Sequence, residues 1–137
     1  MKWFKRKKNE ASETLEFEKE EFDGYLKERI SKLEKACEEL ASNYKIPQEY
    51  REKGLFLEFA RDIDGDEEEG LTTENCFSSE YRSLIRLMER EEDGAIELVT
   101  NFEIWYVFSG SGVVGSLTNF KVNEIEEIID QWFAEDV

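Results

Sequence analysis

The sequence predicts a single α+β domain: an antiparallel sheet of about four strands with a long N-terminal helix, a middle helix and a C-terminal helix packed on it. Three observations lead there. The run from Ala95 to Phe120 is the densest in β-branched and aromatic residues, and Ser109-Gly110-Ser111-Gly112 breaks it where neighbouring strands would reverse. Other stretches repeat apolar residues at helical spacing. A chain of 137 residues with ten Phe, five Tyr and three Trp can fill one core. Residues 1–11 are expected to form a flexible basic segment ahead of the domain, which spans 12–137.

Taken in order, a helical pattern starts at Ser12 or Thr14 and is best developed in Leu26, Ile30, Leu33, Cys37, Leu40 and Tyr44, a stripe on one helix face. Asp23-Gly24 either interrupts it or bends it. Pro47 opens a turn or two of helix ending before Gly54. Leu55 to Arg61 reads as a strand, and the carboxylate-rich run after it as a solvated loop. Leu71-Thr72-Thr73 fits a short return strand. From Ser78, the spacing of Tyr81, Leu84, Ile85 and Met88 predicts an amphipathic helix capped by Ser78 or Ser79 and ended by Gly94. Ala95–Thr100, Phe102–Phe108 and Val113–Leu117 are expected as strands, with the nearly continuous apolar run around Trp105 marking the sheet centre. Asn123 would cap the last helix, burying Ile125, Ile128, Ile129, Trp132 and Phe133.

Charge is the strongest compositional signal. The net charge is −16, and five basic residues among the first eight leave −21 on the remainder. Such a body repels nucleic acid and attracts basic proteins, so direct nucleic-acid binding is not expected. The chain contains no histidine, which removes Ser-His and Cys-His pairs and histidine metal ligation together. Cys37 and Cys76 have no metal-site or redox spacing, and Cys37 on an apolar helix face reads as a buried thiol. No stretch is long and apolar enough to span a membrane. The expectation is a soluble, cytoplasmic protein without cofactor or metal, touching an anionic membrane at most weakly through Lys2, Trp3, Phe4, Lys5, Arg6, Lys7 and Lys8.

Several constellations invite chemistry and fail on detail. Asp62-x-Asp64-x-Asp66 resembles the start of a calcium loop, but Glu67 stands where a turn glycine is needed and Thr73 where a bidentate Glu is needed. Glu58, Glu97 and Glu103 lie in apolar strands as candidate raised-pKa acids, yet alternation explains each as an outward residue. Ser109 to Gly115 lacks the lysine of a phosphate loop and reads as a hairpin turn.

The segment from Leu33-Glu34-Lys35 to Ile46-Pro47-Gln48-Glu49-Tyr50 is similar to the helix and Leu-Pro-x-x-Tyr motif of the SUKH immunity superfamily. Arg51-Glu52-Lys53 stand where that family has apolar residues and its later glycine motifs are missing, so no residue roles are carried over.

The sequence therefore points to a non-catalytic acidic binding module, an immunity- or antitoxin-like inhibitor of a basic partner such as a nuclease toxin. Its expected surface is Asp62, Asp64, Asp66, Glu67, Glu68 and Glu69, with whichever of Tyr81, Trp105 and Tyr106 are exposed as anchors. The alternatives are a nucleic-acid-mimicking decoy and a membrane-tethered adaptor using residues 1–8.

Overall fold

The computed structural model describes residues 13–67 and 69–134. The chain forms β1 (Thr14–Glu18), a 3-10 turn, α1 (Gly24–Asn43), α2 (Gln48–Glu52), β2 (Leu55–Ile63), a 3-10 turn at Thr73–Asn75, β3 (Tyr81–Arg90), β4 (Ile96–Ser109), β5 (Val113–Thr118) and α3 (Val122–Trp132). One antiparallel sheet of five strands results, in the order β1-β5-β4-β3-β2. The chain thus lays down one edge, crosses to the far edge through α1, and meanders back until β5 closes on β1.

The α+β class, the long first helix, the short helix after Pro47, the hairpin at Ser109–Gly112 and the last helix are all present. The middle helix is not: Tyr81–Arg90 is strand β3, and the sheet has five strands where about four were expected. A strand explains the same residues, since Tyr81, Ser83, Ile85 and Leu87 alternate towards the helices while Leu84 is buried on the opposite face. Burial on both faces erased the period of two that would have identified it. Gly94, at φ +93°, accordingly belongs to the β3–β4 turn and ends no helix.

The early part of the expected first helix is β1, in which Leu15 and Phe17 turn inward while Glu16 and Glu18 face solvent. Asp23 marks the true helix start, its carboxylate accepting from the Leu26 amide at 2.9 Å. The last helix begins at Val122, not after Asn123, with the Glu124 carboxylate accepting from the Lys121 amide at 2.8 Å. The two strands expected in 95–108 are one strand, β4, whose pairing with β3 shifts register between Ser83 and Leu84 and between Leu87 and Met88. Leu71-Thr72 form no strand and lead into the 3-10 turn.

All three helices pack on one face of the sheet. Leu26, Ile30, Cys37 and Ala41 of α1 and Ile125 and Ile129 of α3 meet Tyr81, Ile85, Trp105, Val107 and Leu117 in one core. Each large side chain fully buried this way contributes about 1.5–3 kcal/mol. Trp105 is the centre. Its indole N–H donates to the Cys76 carbonyl at 2.7 Å, and the rings of Phe17, Phe22 and Phe77 surround it at centroid distances of 6.3, 5.7 and 6.3 Å. These contacts draw β1, the entry to α1 and the 64–80 connection onto the middle strand.

Gly115 on β5 makes room for that indole: a Cβ there would lie 2.8 Å from Cζ2 and Cζ3 of Trp105. The expected outcome for Gly115→Val is a loss of about 1–3 kcal/mol from overpacking, read from the urea unfolding midpoint at unchanged slope.

Candidate functional site

Strand alternation places Phe56, Glu58, Ala60 and Asp62 of β2, Arg82, Leu84, Arg86 and Met88 of β3, and Tyr106 and Phe108 of β4 on the sheet face away from the core helices. No described helix covers this face. Leu84 is nonetheless only 1% exposed. Arginines at every fourth position of β3 account for this, because their stems lie along the sheet while their guanidinium groups engage carboxylates. Arg82 donates to Asp62 at 2.9 and 3.3 Å, and Arg86 pairs with both Glu58 and Glu67. The second pair holds the acidic connection back on the sheet, so part of the expected acidic patch is neutralised within the chain.

Beside this lattice is a cleft of about 290 Å³ lined by Asp62, Asp64, Gly65, Glu80, Arg82, Glu103 and Tyr106. Asp64 and Glu80 adopt left-handed backbone conformations, φ +57° and +66°, unusual for residues with a side chain. Paired amides hold them there, Asp64 N–H donating to the Glu80 carbonyl at 3.0 Å and Glu80 N–H to the Val107 carbonyl at 2.9 Å. The Glu80 carboxylate accepts from the Tyr106 hydroxyl at 2.8 Å and from the Ser109 amide at 3.0 Å.

The hydrogen bond to Glu80, with loss of hydration and the nearby negative charges, pushes the Tyr106 phenol up to about 12. Although Glu103 is exposed as a residue, loss of hydration raises its carboxyl group above the ordinary value, Asp62 adds to this and Arg82 opposes it. Tyr106 and Phe108 lie side by side, ring centroids 6.2 Å apart, and Phe108 is 52% exposed. The arrangement suits a cationic side chain: carboxylates in a recess with an aromatic ridge alongside.

The residues expected to form the surface separate into three groups. Asp64, Asp66, Glu67 and Glu69 are exposed, and Tyr106 is partly so. Asp62 is buried against Arg82, and Tyr81 and Trp105 are fully buried, so none of the three is presented to a partner. Glu68, and Lys2, Trp3, Phe4, Lys5, Arg6, Lys7 and Lys8, lie outside the described residues. Sequence reasoning missed Glu80 and Phe108. Glu80 was hidden because its position depends on a left-handed turn that no residue type there announces. Among the described residues, no helix is long and apolar enough to cross a membrane, and no group of three or more acidic or cysteine side chains is placed to hold a metal ion.

A second ionic cluster lies on the helix side. Glu34 of α1 is fully buried; its Oε1 accepts from Thr73 Oγ1 at 2.6 Å and Arg61 Nη2 at 3.1 Å, and its Oε2 from the Tyr81 hydroxyl at 2.7 Å. Burial, reinforced by Glu34, pushes both the Cys37 and Cys76 thiols up to about 12, which makes them unreactive. This cluster is enclosed and structural.

Comparisons with protein-family models, curated proteins and solved structures gave no match to this chain.

Glu34→Gln is expected to cost about 1–3 kcal/mol, because the half-buried Arg61 loses its counter-charge and the buried acceptors of Glu34 are only partly replaced; chemical denaturation measures it. The raised Tyr106 pKa contributes stability that is complete below the ordinary phenol value of 10.0 and is lost as pH rises to about 12. Tyr106→Phe should abolish that part of the alkaline stability loss and remove one late step from the ultraviolet absorbance titration.

Proposed function

We propose that this protein is a non-catalytic acidic inhibitor that neutralises a basic protein partner, in the manner of an immunity protein or antitoxin, through the sheet face that no described helix covers. The observation that carries the reading is the exposed Tyr106–Phe108 ridge standing beside a recess lined by Asp64, Glu80 and Glu103. Charge over the whole body steers a cationic partner in, and a few aromatic contacts near the centre of the interface then slow its release. Glu80 is pre-positioned by its backbone and by Tyr106, which lowers the ordering cost of accepting a lysine or arginine.

A decoy for a nucleic-acid groove calls for two unbroken rows of carboxylates. The exposed positions of α1 mix Lys32 and Lys35 with Glu28, Glu38 and Glu39, which favours the inhibitor reading over the decoy.

The test is capture of partners from the native cell on immobilised protein, washed at rising salt. A basic protein retained at about 0.5 M salt, where exposed charge pairs are largely screened, is the expected result. Tyr106→Ala with Phe108→Ala should weaken that complex by about thirtyfold or more, the scale of a lost hot spot, and Phe108→Ala alone should weaken it while leaving the unfolding midpoint within the range of surface substitutions. Retention of a partner with equal affinity by this double variant would remove the face from consideration.

A further inference from the structure

We propose that the outer half of β4 is a docking edge that accepts an extended, basic segment of a partner protein as an added strand. The proposal rests on the basic-partner reading but on a surface that shares only Glu103 with the recess. The β4–β5 ladder begins only at Trp105, pairing with Leu117. From Ile96 to Glu103, β4 pairs with β3 on one side and, among the described residues, with no strand on the other. Among the described residues, no strand therefore takes the N–H and C=O groups along this edge, which makes it a template for another strand.

Sheet proteins commonly protect such edges with lysine, proline or a cover. Ile96-Glu97-Leu98-Val99-Thr100-Asn101 contains neither residue; its edge devices are Glu97 and the register shift at Val99, and Ile96, Leu98 and Val99 are still 47%, 52% and 49% exposed. Three large apolar side chains on a strand with one open edge are an aggregation hazard unless something pairs with that edge.

Charge selects the occupant. Glu97 is on the strand, Glu91, Glu92 and Asp93 form the adjoining turn, and Glu103 closes the inner end. Arg90, opposite Ile96, is occupied over the Phe56 ring at 5.2 Å. A second copy would bring the same carboxylates against these, in a chain of net charge −16. A strand alternating apolar and basic residues satisfies the ladder, the apolar side chains and the carboxylates together.

The probe is a fluorescein-labelled peptide of about eight alternating valines and lysines, one strand in length, read by anisotropy on the full-length protein. Saturable binding is expected, with slowed hydrogen exchange at the Ile96–Asn101 amides. Glu97→Lys with Leu98→Lys should weaken it at least about tenfold, and a proline-interrupted peptide should not bind. Tyr106→Ala with Phe108→Ala should leave peptide binding unchanged, which separates failure of this edge from failure of the sheet-face reading. The proposal is overturned by binding that survives the two lysines, by equal binding of the proline-interrupted peptide, or by no binding. It is also overturned if the edge amides are already protected in the protein alone, as they would be under a second copy or another part of the chain.

Discussion

The fold depends on satisfying one fully buried carboxylate. Glu34 sits at zero exposure between α1 and the sheet, and the groups that make this tolerable come from three places: Arg61 on β2, Thr73 in the long connection and Tyr81 at the start of β3. An ion removed from water without such partners is held only at a cost of several kcal/mol, against a total stability of about 5–15 kcal/mol for a domain. The helix therefore has one acceptable rotation and height on the sheet, the one that brings Glu34 to Arg61. Apolar packing alone would allow small slips of α1 along its stripe; the carboxylate does not.

The other face uses the same pairing for a different purpose. There Arg82 meets the buried Asp62, and Arg86 meets Glu58 and Glu67 nearer the surface, where ion pairs add little stability but still fix positions. Their effect is to divide a strongly acidic loop into a part bound to the sheet and a part left free. Of that loop, Asp64 remains beside Glu80, Glu103 and Tyr106, and this recess, not the loop as a whole, is the surface on which the proposed function rests.

Much of this was legible beforehand. The apolar stripe of α1, the glycine-serine hairpin, the centrality of the strand around Trp105 and the buried face of α3 follow from periodicity and turn chemistry, which are local properties. Two failures have a shared cause. In Tyr81–Arg90, apolar residues on both strand faces leave Tyr81, Leu84, Ile85 and Met88 at helical spacing, so the pattern does not discriminate, and pairing with the distant β2 and β4 decides. In Thr14–Glu18 the alternation of Leu15 and Phe17 with glutamates was present, but the long helical run behind it obscured a five-residue strand whose partner lies at the other end of the sequence. The acidic surface was legible as charge and illegible as geometry: which carboxylates are self-neutralised depends on contacts between distant residues.

That distant partnership also dictates an order of events. β1 pairs with β5 in a register running from Thr14 opposite Thr118 to Glu18 opposite Val114. During synthesis β1 leaves the ribosome well before its partner β5, and Phe17 must wait for Trp105 and Gly115 before it has a place to pack. The sheet is therefore completed late, by its oldest segment, and the high sequence separation of this pairing makes closure slow relative to the β2–β5 meander, which can assemble from neighbours.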